Sequence, residues 1–158
     1  MSVNIPKLAL AQAICFSAAF GGSLFTPQQN SEWYYQILQK PAWNPPDWLF
    51  GPAWALFFLL MGFALYQVLE KGANKPALRP ALVAFGIQLV LNFCWSALFF
   101  GLHSPLFALV DIVLLWLAIL FTIIKFKPIS PLASNLLIPY ILWVSFASVL
   151  TFTIWQMN

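Results

Sequence analysis

The sequence predicts an all-α membrane protein. Residues 1–158 form one transmembrane domain, a five-transmembrane-helix bundle with a short helix in the loop between spans one and two. Three observations predict it. Hydrophobic residues make up 62% of the chain and charged ones 7%, whereas a soluble domain carries about a quarter charged residues. The apolar residues fall in continuous runs of ~20, long enough to cross a bilayer as helix, rather than in the ~10-residue alternating segments of a barrel. A length of 158 residues accommodates five such runs with short connections.

Span one covers about residues 7–25, with Gln12 as its strongly polar member. Ser17-Ala18-Ala19 offers the small residues of a cleaved signal, but the core is long and the basic start weak, which favours a retained span. Ser17/Gly21 and Ala18/Gly22 have the small-xxx-small spacing that lets another helix backbone approach closely.

Residues 26–46 form the one substantial loop. Asn30 or Ser31 can cap a short helix over roughly residues 31–38, with Glu32 in its first turn and Trp33, Tyr34 and Tyr35 along it. From Lys40 to Trp54, three tryptophans and four prolines follow one another closely. Pro45-Pro46 must be extended, because proline fixes φ and disfavours helix in the residue before it. Indoles beside such a stiff turn suit a membrane interface. We read the stretch as a rigid aromatic lid over a pocket inside the bundle; the alternative is an interfacial anchor that binds nothing.

Span two covers about residues 47–69, with Asp47 as its expected N-cap. Pro52 leaves the Trp48 carbonyl without its helical donor, so Gly51-Pro52 is expected to face protein or a cavity. Trp54, Phe58, Met61 and Leu65 share one face. After a polar loop carrying Lys71, Lys75 and Arg79, span three runs over about residues 81–102. Gln88, Asn92, Trp95 and Phe99 place amides and aromatics on one stripe, and polar groups at that depth face the bundle interior.

His103-Ser104-Pro105 is a tight turn into span four, about residues 105–124. This span holds Asp111, a carboxylate at membrane depth, which lacks the second ionisable group a proton relay needs and is expected to serve in hydrogen-bonded packing. Span five, about residues 132–155, is interrupted by Pro139 and presents Tyr140, Trp143, Ala147 and Thr151 on one face. Five spans put Lys7, Lys71, Lys75, Arg79, Lys125 and Lys127 on one side and Lys40 alone on the other. That bias predicts a cytoplasmic N-terminus, with the lid and C-terminus outside a bacterial-type inner membrane.

Composition also excludes functions. The formal charge of +3 comes from scattered residues, without the basic patch that nucleic acid requires. Cys15 and Cys94 lie in predicted spans without metal-ligand spacing and read as packed apolar groups. Paired carboxylates, glycine-rich phosphate loops and nucleophile elbows are all missing, so conventional catalysis finds no constellation, and neither a metal nor a required cofactor is implied.

Trp43-x-Pro45-Pro46, Phe50-Gly51-Pro52-x-Trp54, Met61-Gly62, Gln88-Leu89-x-Leu91-Asn92-x-x-Trp95-Ser96, Pro139-Tyr140-x-x-Trp143 and Ile154-Trp155 together resemble the TspO/MBR family, the tryptophan-rich sensory and translocator proteins. The likeness is colinear from about residue 20 onward. It implies a five-helix bundle, usually a homodimer, that binds porphyrins, other tetrapyrroles and isoquinoline- or benzodiazepine-type ligands under the first long loop. The implied pocket residues are Tyr35, Pro45, Trp54, Phe58, Asn92, Trp95, Trp143 and Ala147, with Trp54 and Asn92 bonding a ligand's polar group.

Some bacterial members are similar to light-dependent porphyrin-degrading proteins, which makes Trp54 and Trp143 the redox-active candidates here. Thr151 stands where the family usually has Asn. Phe152 and Gln156 stand where animal members carry the tyrosine and basic residue of a proposed sterol motif, so sterol binding there is not implied. A transporter of tetrapyrroles or other small amphiphiles is the alternative function, although no inverted repeat is visible between the halves. A scaffold without a small ligand is a third. Ala97 and Gly101 offer one candidate dimer contact by small-residue spacing.

Overall fold

The computed structural model describes residues 2–158. Five long helices carry the chain: α1 (Ile5–Ser23), α2 (Asp47–Lys71), α3 (Leu78–Gly101), α4 (Pro105–Phe126) and α5 (Pro131–Met157), each long and apolar enough to cross a membrane. There is no strand among the described residues. α1 packs on α2 and α3, α3 on α4, and α4 on α5, while the first segment of α5 leans on α2. Outward residues such as Leu10, Ile14, Ile87, Val90, Val113 and Leu117 are exposed, as a lipid-facing surface requires.

The helix ends follow local chemistry. Asn4 starts α1 two residues before the expected boundary, its Oδ1 accepting the Lys7 N–H at 3.2 Å. Beside it, the Lys7 ammonium meets Glu70 at 2.9 Å and the Asn4 N–H meets the Tyr66 hydroxyl at 3.1 Å, tying the start of α1 to the end of α2. α3 also begins earlier than expected, at Leu78, because Pro80 falls in its first turn, where a missing N–H costs nothing. Its last turn, Ala97–Gly101, widens to π geometry.

His103 then takes a left-handed φ of 52°, and Ser104 caps α4 by accepting the Phe107 N–H at 3.2 Å. Pro139 divides α5 as expected, into Pro131–Leu136 and Ile138–Met157, with Ser130 capping the first piece.

Four expectations need correction. The helix in the first loop is a single π-type turn, Trp33–Ile37, shorter than residues 31–38, because Leu38 turns extended at ψ 119°. Asp47 is the first residue of α2 and not its cap, a place taken by Pro46; its carboxylate instead accepts the Tyr34 hydroxyl at 3.1 Å. Of the Gly51-Pro52 pair, Gly51 borders the central cavity while Pro52 is exposed and does not. Asp111 is buried as expected, but its Oδ2 has no hydrogen-bond partner among the described residues.

Candidate functional site

Below the loop, all five helices border a cavity of about 570 Å³, within the range of small-molecule sites, roughly 300–1,000 Å³. The space has a sequence cause. Opposite the bulky rings of α2, α3 and α5, α1 presents Ala18, Ala19 and Gly22, whose small side chains leave the volume open. Gly22 also lets the Ser96 side chain approach, since a Cβ there would stand 3.3 Å from its hydroxyl oxygen.

Seven of the eight residues singled out in the sequence border this cavity: Tyr35, Trp54, Phe58, Asn92, Trp95, Trp143 and Ala147. Pro45 does not. It is half-buried beside the cavity, and its neighbours Asn44 and Asp47 hold the rim in its place. The walls are aromatic and mutually braced. Trp54 meets Trp143 edge-on at 6.4 Å and Phe58 at 5.9 Å, and Trp95 stacks on Phe99 at 4.9 Å and 13°. Such ring arrangements hold flat faces in defined directions.

The polar groups are few. Asn92 donates from Nδ2 to the Tyr140 hydroxyl at 2.6 Å, which donates in turn to Gln88 Oε1 at 3.0 Å. This buried relay, α3 to α5 and back, holds the Asn92 amide in one orientation beside the cavity. The Thr151 hydroxyl donates to the Ala147 carbonyl at 2.7 Å, so its proton is committed within its own helix. The indole N–H groups of Trp95 and Trp143 are buried and have no acceptor. Unpaired donors of this kind are rare, because each forfeits about 1–3 kcal/mol of solvation.

The loop covers one end of the cavity. Tyr34 is buried, and the Lys40 ammonium lies 3.8 Å over its ring while donating to its carbonyl oxygen at 3.0 Å. Burial, and then the Asp47 carboxylate it bonds, push the Tyr34 phenol well above its ordinary value. Trp33 stacks on His103 at 4.3 Å, pinning the short helix to the end of α3. No cluster of metal-ligating side chains occurs among the described residues.

Sequence reading missed the part of α1 altogether: Ala18 and Gly22 were visible only as a helix-contact spacing. It placed Tyr140 on the face of Trp143 but missed that its hydroxyl is the centre of the polar relay. The signal was available in both cases. Tyr140 shares a face with Trp143, and its hydroxyl at depth had to find a partner.

Residues 11–156 match the sequence profile of the TspO/MBR family. The chain belongs to that family. A family member from Chlorobaculum tepidum, "Tryptophan-rich protein TspO", is 53% identical over 158 residues, covering 100% of this chain and 99% of the relative. The human "Translocator protein" is 38% identical, covering 88% and 82%. The "Tryptophan-rich sensory protein" of Cereibacter sphaeroides is 33% identical, covering 92% and 87%. Five apolar helices together with membership of this family make the chain an integral membrane protein.

Proposed function

We propose that the protein is a membrane receptor or sensor that binds porphyrins or related tetrapyrroles in the lidded cavity. One observation carries the reading: tryptophans from three separate helices wall a single cavity beside one buried, oriented amide. A flat macrocycle gains from stacking in proportion to its area, while few polar groups are needed to orient it. The basic bias of the loops supports a cytoplasmic N-terminus in a bacterial inner membrane, with the lid outside, and a homodimer follows from the family resemblance.

Porphyrin added to the purified protein is expected to quench tryptophan fluorescence at micromolar concentration, and Trp143→Phe and Asn92→Ala to weaken the quenching. A titration with no quenching in the unaltered protein refutes the reading. Illumination of the bound complex extends the test. Loss of porphyrin absorbance in the unaltered protein, reduced in Trp54→Phe, adds photodegradation to binding; equal loss in both assigns the indole to the wall alone.

Transport of the same class of molecule is the second reading, favoured by the name of the human relative. Proteoliposomes that accumulate porphyrin beyond one equivalent per protein would establish it.

A further inference from the structure

We propose that Asn158 is a latch that holds the lid shut and sets how often the cavity opens; this rests on the cavity being a binding site. Its side-chain amide grips the backbone of Gln39 from both sides. Asn158 Oδ1 accepts the Gln39 N–H at 2.9 Å, and Nδ2 donates to the Gln39 carbonyl at 2.9 Å. The remaining Nδ2 hydrogen goes to the Ile154 carbonyl at 2.7 Å, one turn back along α5, which aims the amide. One side chain thus mimics a neighbouring strand, and it joins residues 119 positions apart.

The place of this grip gives it leverage. Gln39 sits where the lid passes from its short helix into the proline-rich segment, between Leu38 and Lys40. The Leu38 side chain is buried in the same cluster as Leu150 and Ile154 of α5, and both of those border the cavity. Lys40 is bound within the lid itself, to the Tyr34 carbonyl and to the rings of Tyr34 and Tyr35. The Asn158 amide is therefore the directional bond from this part of the lid to α5, beside the non-directional packing of Leu38 and the edge contact of Trp43 with Phe146 at 6.0 Å.

Asn158 does not border the cavity, so it cannot act by touching the guest. Two solvent-exposed hydrogen bonds at the low end of their usual worth correspond to about a fivefold change in an opening equilibrium.

Amide hydrogen exchange over residues 38–44 of the full chain, in nanodiscs without porphyrin, reads the latch directly. Asn158→Ala is expected to raise exchange there about fivefold, and Asn158→Asp nearly as much, because a carboxylate cannot donate to the Gln39 carbonyl. Gln39→Ala is the control, since the latch uses only the Gln39 backbone, and it should leave exchange unchanged. Unchanged exchange in Asn158→Ala, or equal acceleration in Gln39→Ala, overturns the latch.

Stopped-flow quenching by porphyrin then tests the gating. The association and dissociation rates should rise together in Asn158→Ala with little change in Kd; faster exchange with unaltered rates overturns gating. Failure of porphyrin to bind the unaltered protein overturns the binding reading and the gating with it, while the exchange result still decides the latch.

Discussion

Tyr140→Phe is the most direct test of how the bundle holds its polar core. The substitution deletes one oxygen and keeps the ring, so packing against Trp54 and Phe57 survives. The oxygen accepts from Asn92 at 2.6 Å and donates to Gln88 at 3.0 Å. Interhelical hydrogen bonds in membranes average about 0.6 kcal/mol each and reach ~1.7, so losing both costs about 1.2 kcal/mol on average and ~3.4 at the ceiling. The upper part of that range is expected here, because Tyr140 and Gln88 are 0% and 1% exposed and Gln88 Oε1 is left buried without its donor.

Thermal unfolding in a fixed detergent reads the loss, at roughly 2–4 °C per kcal/mol for a chain of this size. A cycle with Gln88→Leu separates the relay from the ring, and the double variant should lose less than the sum of the single ones. An unchanged or raised Tm in Tyr140→Phe, or strict additivity with Gln88→Leu, would refute the relay as a stabilising element.

Further outcomes follow from other contacts. Gly62→Ala places a methyl group against the Gln12 amide, which donates to the Leu59 carbonyl at 3.1 Å; thermal unfolding should show a loss of about 0.6 kcal/mol or more, and little further loss in a Gln12→Ala background. Trp116→Phe removes the 2.8 Å bond to Ser145 that joins α4 to α5, and should cost about 0.6 kcal/mol while leaving porphyrin quenching intact, since neither residue borders the cavity. The Tyr34 phenol, with an ordinary value of 10.0 raised in the fold by burial and by Asp47, must stay protonated to donate. Its contribution is therefore complete below pH 10 and is lost as pH rises from there through the folded value. Hydrogen exchange of the lid in the unaltered protein should accelerate over that window, and in Tyr34→Phe the pH-linked part should vanish once the intrinsic base-catalysed rate is divided out.

The five spans were legible because each apolar run is long, and in lipid only a closed helix satisfies its own backbone. Their ends shifted by two or three residues where a cap or a first-turn proline outranked hydropathy, as at Asn4 and Pro80. Periodicity also gave the face on which Gln88, Asn92, Trp95 and Phe99 lie. It could not give partners. Tyr140 is 48 residues from Asn92 and 52 from Gln88, and nothing local in either stretch encodes that meeting. The same holds for Asn158 and Gln39, and for Asp47, whose position suited a cap until Tyr34 claimed its carboxylate. Asp111 was expected to serve in hydrogen-bonded packing because no second ionisable group offered a proton relay; the structure leaves Oδ2 without a partner among the described residues.

The distribution of polar groups at membrane depth favours the cavity over an outer groove for the proposed guest. On the lipid side each exposed residue named above is apolar, so a guest there meets only dispersion contacts that lipid tails supply equally well. Inside, Gln88, Asn92 and Tyr140 satisfy one another, and Thr151 satisfies itself within its helix. That leaves four buried atoms without partners among the described residues: the indole nitrogens of Trp95 and Trp143, Gln12 Oε1 and Asp111 Oδ2. Each unmet indole N–H forfeits about 1–3 kcal/mol of solvation, which burial of the large ring offsets. In the proposed complex, a guest that turns these rings until its acceptors meet their N–H groups would gain bonds that the empty protein does not make.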